Sequence, residues 1–126
     1  MTTYVLVQAD ASQTAPGTVQ GGAAGANLPT GSQAVSVAGG AGGVLSAPQN
    51  GALQWLITGS GTVAATLQAV ASNDGVNWDT VAAAASVSGT GAASAMQVVT
   101  VPAAYFSGYV VSISGTGASA KGTLNI

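Results

Sequence analysis

In a chain of 126 residues that is 48% hydrophobic but only 3% charged, most of the side chains that catalysis recruits are missing. One lysine (Lys121) and three aspartates (Asp10, Asp74, Asp79) stand alone, with no Arg, Glu, His or Cys. General acid–base and nucleophilic chemistry draw chiefly on those absent types, and one lysine cannot track a phosphate backbone or an anionic membrane surface, so the composition points away from an enzyme, a nucleic-acid binder and a membrane-surface protein.

Residues 1–50 are predicted to form an extended arm with short strands. The opening "MTTYVLVQADASQT" has no basic region and too short an apolar run for a secretory signal, so synthesis without export is expected. No later run approaches the ~20 apolar residues of a membrane span. From residue 9 to residue 50, Gly, Ala, Ser, Thr, Gln and Pro dominate. Such segments are flexible alone and become ordered when something pairs with them. Two short alternations interrupt the arm, Val5 with Val7 in "YVLVQ" and Val35 with Val37 in "QAVSVAG". With Tyr4, these four valines are the candidate partner-contact residues.

From Gly51 the pattern becomes a period-two alternation, the mark of half-buried strands. In "GALQWLIT", Leu53, Trp55 and Ile57 share a face, which places Trp55 in the core. In "TVAATLQAVAS", Val63, Ala65, Leu67, Ala69 and Ala71 point one way, with Thr62, Thr66, Gln68 and Ser72 opposite and Val70 as the exception. The stretch "ASNDGVNWDTV" follows. Asn, Asp and Gly shape tight connections between strands, and Trp78 is placed to plug the end of the core.

Asn73, Asp74, Asn77 and Asp79 are also oxygen donors of the kind calcium takes, but they lack the spacing and terminal Glu of an EF-hand loop. An exposed Trp78 would instead suit a sugar. Asn73, Asp74, Asn77 and Trp78 are therefore the candidate loop-contact residues, and no metal or cofactor is predicted. Asp74 and Asp79, five residues apart across a glycine turn, read as solvated rather than as a catalytic pair.

"TVAAAASV" is the only stretch with good helix propensity, and strands take precedence there. "MQVVTV" (96–101) is β-branched on both faces and is expected to be covered on both. Tyr105 and Phe106 are expected to pack on the same core end. "YVVSIS" alternates Tyr109, Val111 and Ile113 with Val110, Ser112 and Ser114, and "KGTLNI" turns Leu124 and Ile126 inward. Between the runs, "GSGT" (59–62), "SGTG" (88–91) and "SGTG" (114–117) are expected to be turns. The fold class is all-β, an antiparallel β-sandwich or jelly roll over residues 51–126 with an extended Gly/Ala-rich N-terminal arm.

Lacking cysteine, the chain has neither disulfides nor a thiolate metal site. A net charge of −2 gives little mutual repulsion between copies. An exterior of Ser, Thr, Gln and Asn, partly covered by other subunits, is expected, and with it a homo-oligomer.

The stretch "LQAVASNDGVNWDTV", a strand running into S-N-D-G-x-N-W and then a second strand, resembles a signature of phage virion proteins and discoidin-like jelly rolls. The terminal "YFSGYVVSISGTGASAKGTLNI" resembles the closing strands of such domains. The likeness covers residues 51–126, and the missing Arg and Cys depart from the discoidin pattern. What remains is similar to small phage head decoration (cement) proteins. That resemblance implies a structural virion protein on the capsid surface, assembled in the host cytoplasm, with the major capsid protein and copies of itself as partners. Two other readings stand beside it: a tail, fibre or surface module binding carbohydrate through Trp78 and the 73–79 loop, and a self-assembling tube or fibre subunit whose arm completes the next copy's sheet.

Overall fold

The computed structural model describes residues 3–13, 16, 27–37, 49–101 and 104–126. Among these residues six strands make one antiparallel sheet: β1 (Thr3–Ala9), β2 (Val35–Ser36), β3 (Gln49–Ser72), β4 (Asp79–Thr80), β5 (Ala85–Val101) and β6 (Tyr105–Asn125). β3 runs through the middle, with β5 along one side and β6 along the other. β1 lies on the far side of β6, against its last residues, and β2 pairs with its first two. No helix occurs among the described residues, and the alanine-rich stretch after Thr80 is a short connection leading into β5.

Strands β3, β5 and β6, at 24, 17 and 21 residues, exceed the usual length because each passes through a bend. β3 and β5 stay in register from Gln49↔Val101 to Thr58↔Ala92, slip, and resume at Thr62↔Thr90. β3 and β6 slip at the same level, between Thr58↔Ser119 and Ala64↔Ser114, with Ser60↔Thr116 between. Gly61, Gly91, Gly115 and Gly117 take φ of 70°, 76°, 121° and 62° there. The three Gly/Ser/Thr motifs are thus not turns between strands. They form a row of bulges across the sheet, where glycine's access to positive φ lets a strand kink without ending.

The bend folds the sheet over its own apolar face. Trp55, before the bend in β3, lies directly over Gly122 of β6, its partner in the same layer, and reaches Gly108, which belongs to β6 beyond the bend. Leu53, Trp55 and Ile57 from one layer pack with Val63, Leu67, Phe106 and Val110 from the other, and with Leu6 and Leu124. The expected all-β antiparallel class holds, with both layers drawn from one curled sheet. Among the described residues every buried side-chain nitrogen and oxygen has a hydrogen-bond partner.

The described parts of residues 1–50 join this core. A register shift between Val5↔Thr123 and Val7↔Gly122 lets both Leu6 and Val7 turn inward, so Val5 and Val7 do not share a face. The 31–37 segment then ties β1 to the start of β6. Gln8 N–H donates to Gly31 O (3.1 Å), Gln33 N–H to Leu6 O (2.8 Å) and Val37 N–H to Ala104 O (2.9 Å). Gln13 extends the tie, its N–H donating to Val110 O at 2.8 Å and its Oε1 accepting Val110 N–H at 2.7 Å. The remainder of the predicted arm (1–2, 14–15, 17–26, 38–48) lies outside the described residues.

The last strands differ from expectation at two points. "MQVVTV" is covered on one face only: Val99 and Val101 are buried, while Met96 and Val98 are 62% and 81% exposed. In β6 a shift between Thr66↔Ser112 and Leu67↔Val110 skips Val111, which bulges outward while Val110 goes into the core.

Candidate functional site

The 72–79 loop closes a hairpin in which Ala71 pairs with Asp79 and Val70 with Thr80. Its short polar side chains bond to their own loop rather than to anything outside it. Asp74 Oδ1 accepts from the Ser72 hydroxyl (2.8 Å), Val76 N–H (2.8 Å) and Asn77 N–H (2.9 Å), and Oδ2 accepts from Asn77 Nδ2 (2.8 Å). Ser72 Oγ also accepts Gly75 N–H at 2.9 Å, with Gly75 at φ 76°. From across the fold, Asn27 Nδ2 donates to Val76 O at 3.0 Å. The Asn77 and Val76 amides, then the Ser72 hydroxyl and the Asn77 side chain, hold the Asp74 carboxyl well below the usual carboxylate range.

This geometry serves the turn first. A cation at Asp74 would have to compete with four donors already in place, and no cluster of three or more His, Cys, Asp or Glu occurs among the described residues. Asn73, Asp74, Asn77 and Asp79 line an open groove of about 340 Å³. Asn73 and Asp74 are exposed and Asn77 half-buried, whereas Trp78 is only 5% exposed and belongs to the interior. Its ring offers no open stacking face.

Of the candidate partner-contact residues, Val7 and Val37 are buried in this chain's own core, while Tyr4, Val5 and Val35 are half-buried. Tyr4 and Val5 lie against the end of β6 and Val35 against its start.

Two features escaped the sequence reading. The first is a pair of glutamines, Gln97 on the inward face of β5 and Gln68 on the face of β3 opposite its core residues, that close the side of the fold away from β1. Gln97 Oε1 accepts Trp55 Nε1–H at 2.9 Å while its Nε2 donates to Ala83 O at 3.0 Å. Gln68 Nε2 donates to Ala82 O at 2.7 Å and Ala69 O at 3.0 Å. Together they hold the 82–83 connection against both layers. Gln97 sits in phase with Val99 and Val101, which was the available signal.

The second is the outer side of β5. It pairs with β3 along one edge, and among the described residues no strand pairs along the other. Met96 and Val98 stand exposed beside that edge, opposite Gln54 and Ala52 of β3. Beyond the bend the outward face is hydroxylic: Thr66 lies between Ser86 and Ser112, and Ala64 between Ser88 and Ser114.

Compared with protein-family models, curated proteins and solved structures, the chain has no match. What the arrangement offers chemically is hydrogen bonding from main chain, hydroxyls and amides across a nearly uncharged surface.

Proposed function

We propose that this chain is a structural virion protein of the head decoration type, stabilising a capsid by binding across neighbouring subunits. The reading starts from the resemblance carried by "SNDGVNW" and the closing strands. The observation that supports it best is the charge-free outward face beyond the bend, where Ser86, Thr66 and Ser112 lie in one row and Ser88 and Ser114 flank Ala64 in the next. Hydroxyls lose little on leaving water when a second neutral surface returns their hydrogen bonds. Weak contacts of this kind add up when many symmetric copies bind one particle. The carbohydrate-binding alternative needs an open Trp78 ring, and that ring is buried.

The test uses particles purified from the source of the chain and particles assembled without it. Saturable binding of purified protein to the latter, at a regular copy number and with a higher particle melting temperature, is the expected result. Absence of binding, or copies confined to a tail, refutes head decoration.

A further inference from the structure

We propose that β5 is a self-association edge, pairing antiparallel with β5 of a second copy about a two-fold axis at Gln97. This does not rest on the virion reading. Among the described residues, β5 has no strand along its outer side, which leaves a row of main-chain donors and acceptors open to pairing. Proteins usually blunt such edges with lysine, proline or inward charge, and residues 85–101 contain no charged residue and no proline. The kink at Gly91 confines the regular part of the edge to 92–101.

The occupant must be an extended strand, and the side chains identify it as another copy. A two-fold axis sets each residue opposite one on the same face of the sheet. With the axis at Gln97, Met96 meets Val98 of the second copy and Val98 meets its Met96. The two most exposed large hydrophobic side chains among the described residues, at 62% and 81%, then cover one another twice in cross-strand pairs. Ser94 falls opposite Thr100. Moving the axis to residue 96 or 98 sets one of the two against its own copy and leaves the other facing a hydroxyl. Charge does not oppose the pairing, since the strand carries none and the whole chain only −2.

Sedimentation equilibrium on the full chain tests this. A monomer–dimer equilibrium with a dissociation constant on the order of 10 μM is expected, at the weak end for a small specific interface. V98K should weaken it at least ~10-fold, as lysine does on natural edges, with unchanged circular dichroism and melting. The double variant M96E/V98K should recover dimerisation to within about three-fold of the original, because each introduced carboxylate faces an introduced ammonium across the axis. M96K/V98K should stay monomeric. A wild-type chain that is monomeric at about 1 mM, a V98K chain that dimerises as before, or an M96E/V98K chain no better than V98K would each overturn the proposal.

Discussion

Gly122 is the position where the packing of the core is most sharply testable. It lies directly opposite Trp55, and a Cβ built there would be 2.2 Å from Trp55 Cζ3, 2.5 Å from Cε3 and 3.1 Å from Val7 Cγ1. The indole has little room to retreat. Gly108 lies above it, where a Cβ would stand 3.0 Å from Cη2, and its Nε1 is held by Gln97. Overpacking a close-packed interior costs about 1–3 kcal/mol, toward the upper end when a ring must move more than an ångström. Replacing glycine with alanine returns roughly 0.4–1 kcal/mol through the unfolded chain. Gly122→Ala should therefore destabilise by about 2 kcal/mol, a fall in Tm near 8 °C for a chain of this size. Gly108→Ala, with contacts at 3.0–3.3 Å, should cost less than half as much. Urea unfolding followed by circular dichroism gives both values. A cycle with Trp55→Phe adds the decisive comparison, since the smaller ring should relieve at least ~1 kcal/mol of the Gly122→Ala penalty. If Gly122→Ala unfolds like the wild type, Trp55 does not lie over Gly122 and the account of the two layers fails.

Three further expectations follow from named contacts. Gly91 has φ 76° with open space around its Cβ position, so Gly91→Ala should cost about 1 kcal/mol from backbone conformation alone and Gly91→Asn about half that; equal stabilities would show that the bend does not need a left-handed residue. Gln97→Leu strips partners from Trp55 Nε1 and Ala83 O and should cost about 1–3 kcal/mol in denaturant unfolding, with no loss if the 82–83 connection is held by other contacts. Because the folded state lowers the Asp74 pKa from 3.8, its stabilisation is present in full above that unfolded value, shrinks as pH falls below it, and is gone below the folded value. The stability gap between wild type and Asp74→Asn should then stay constant above about pH 5 and narrow as pH falls from there to about pH 2. A carboxyl carbon titrating near the ordinary value by NMR would mean that the Ser72, Val76 and Asn77 donors are not in place.

The alternation from Leu53 to Ala71 was legible because each inward position reports burial directly: Leu53, Trp55, Ile57, Val63 and Leu67 are all fully buried. The glycine motifs were ambiguous, since positive φ serves a hairpin and a bulge equally. A deciding signal lay in the flanks. Inward residues keep the same odd phase from Ile57 across "GSGT" to Val63, and from Val87 across the second motif to Val99, as a continuing strand does. "MQVVTV" was misjudged because a β-branched run looks the same whether its second face is covered by a layer or left open. That choice depends on strand order, which local pattern does not carry. The Asp74 network was foreseen only as a turn, because the number of donors converging on a carboxylate depends on loop geometry.

The bend row also bears on where this protein associates. Because three long strands each serve both layers, the fold does not close as a full barrel, and its two sides must be sealed separately. On the β1 side the 31–37 segment does this with main-chain hydrogen bonds to β1 and to residue 104. On the β5 side the described contacts are Gln68 and Gln97 holding residues 82–83, which secures the interior but leaves the strand edge itself without a partner strand. Among the described residues, one sheet folded on itself thus has an asymmetric perimeter, stitched along one side and without a partner strand along the other. With a net charge of only −2 and no charged residue in β5, nothing electrostatic guards that edge against a second copy, which is why a substitution at Val98, exposed on the surface, is expected to change assembly without changing the fold.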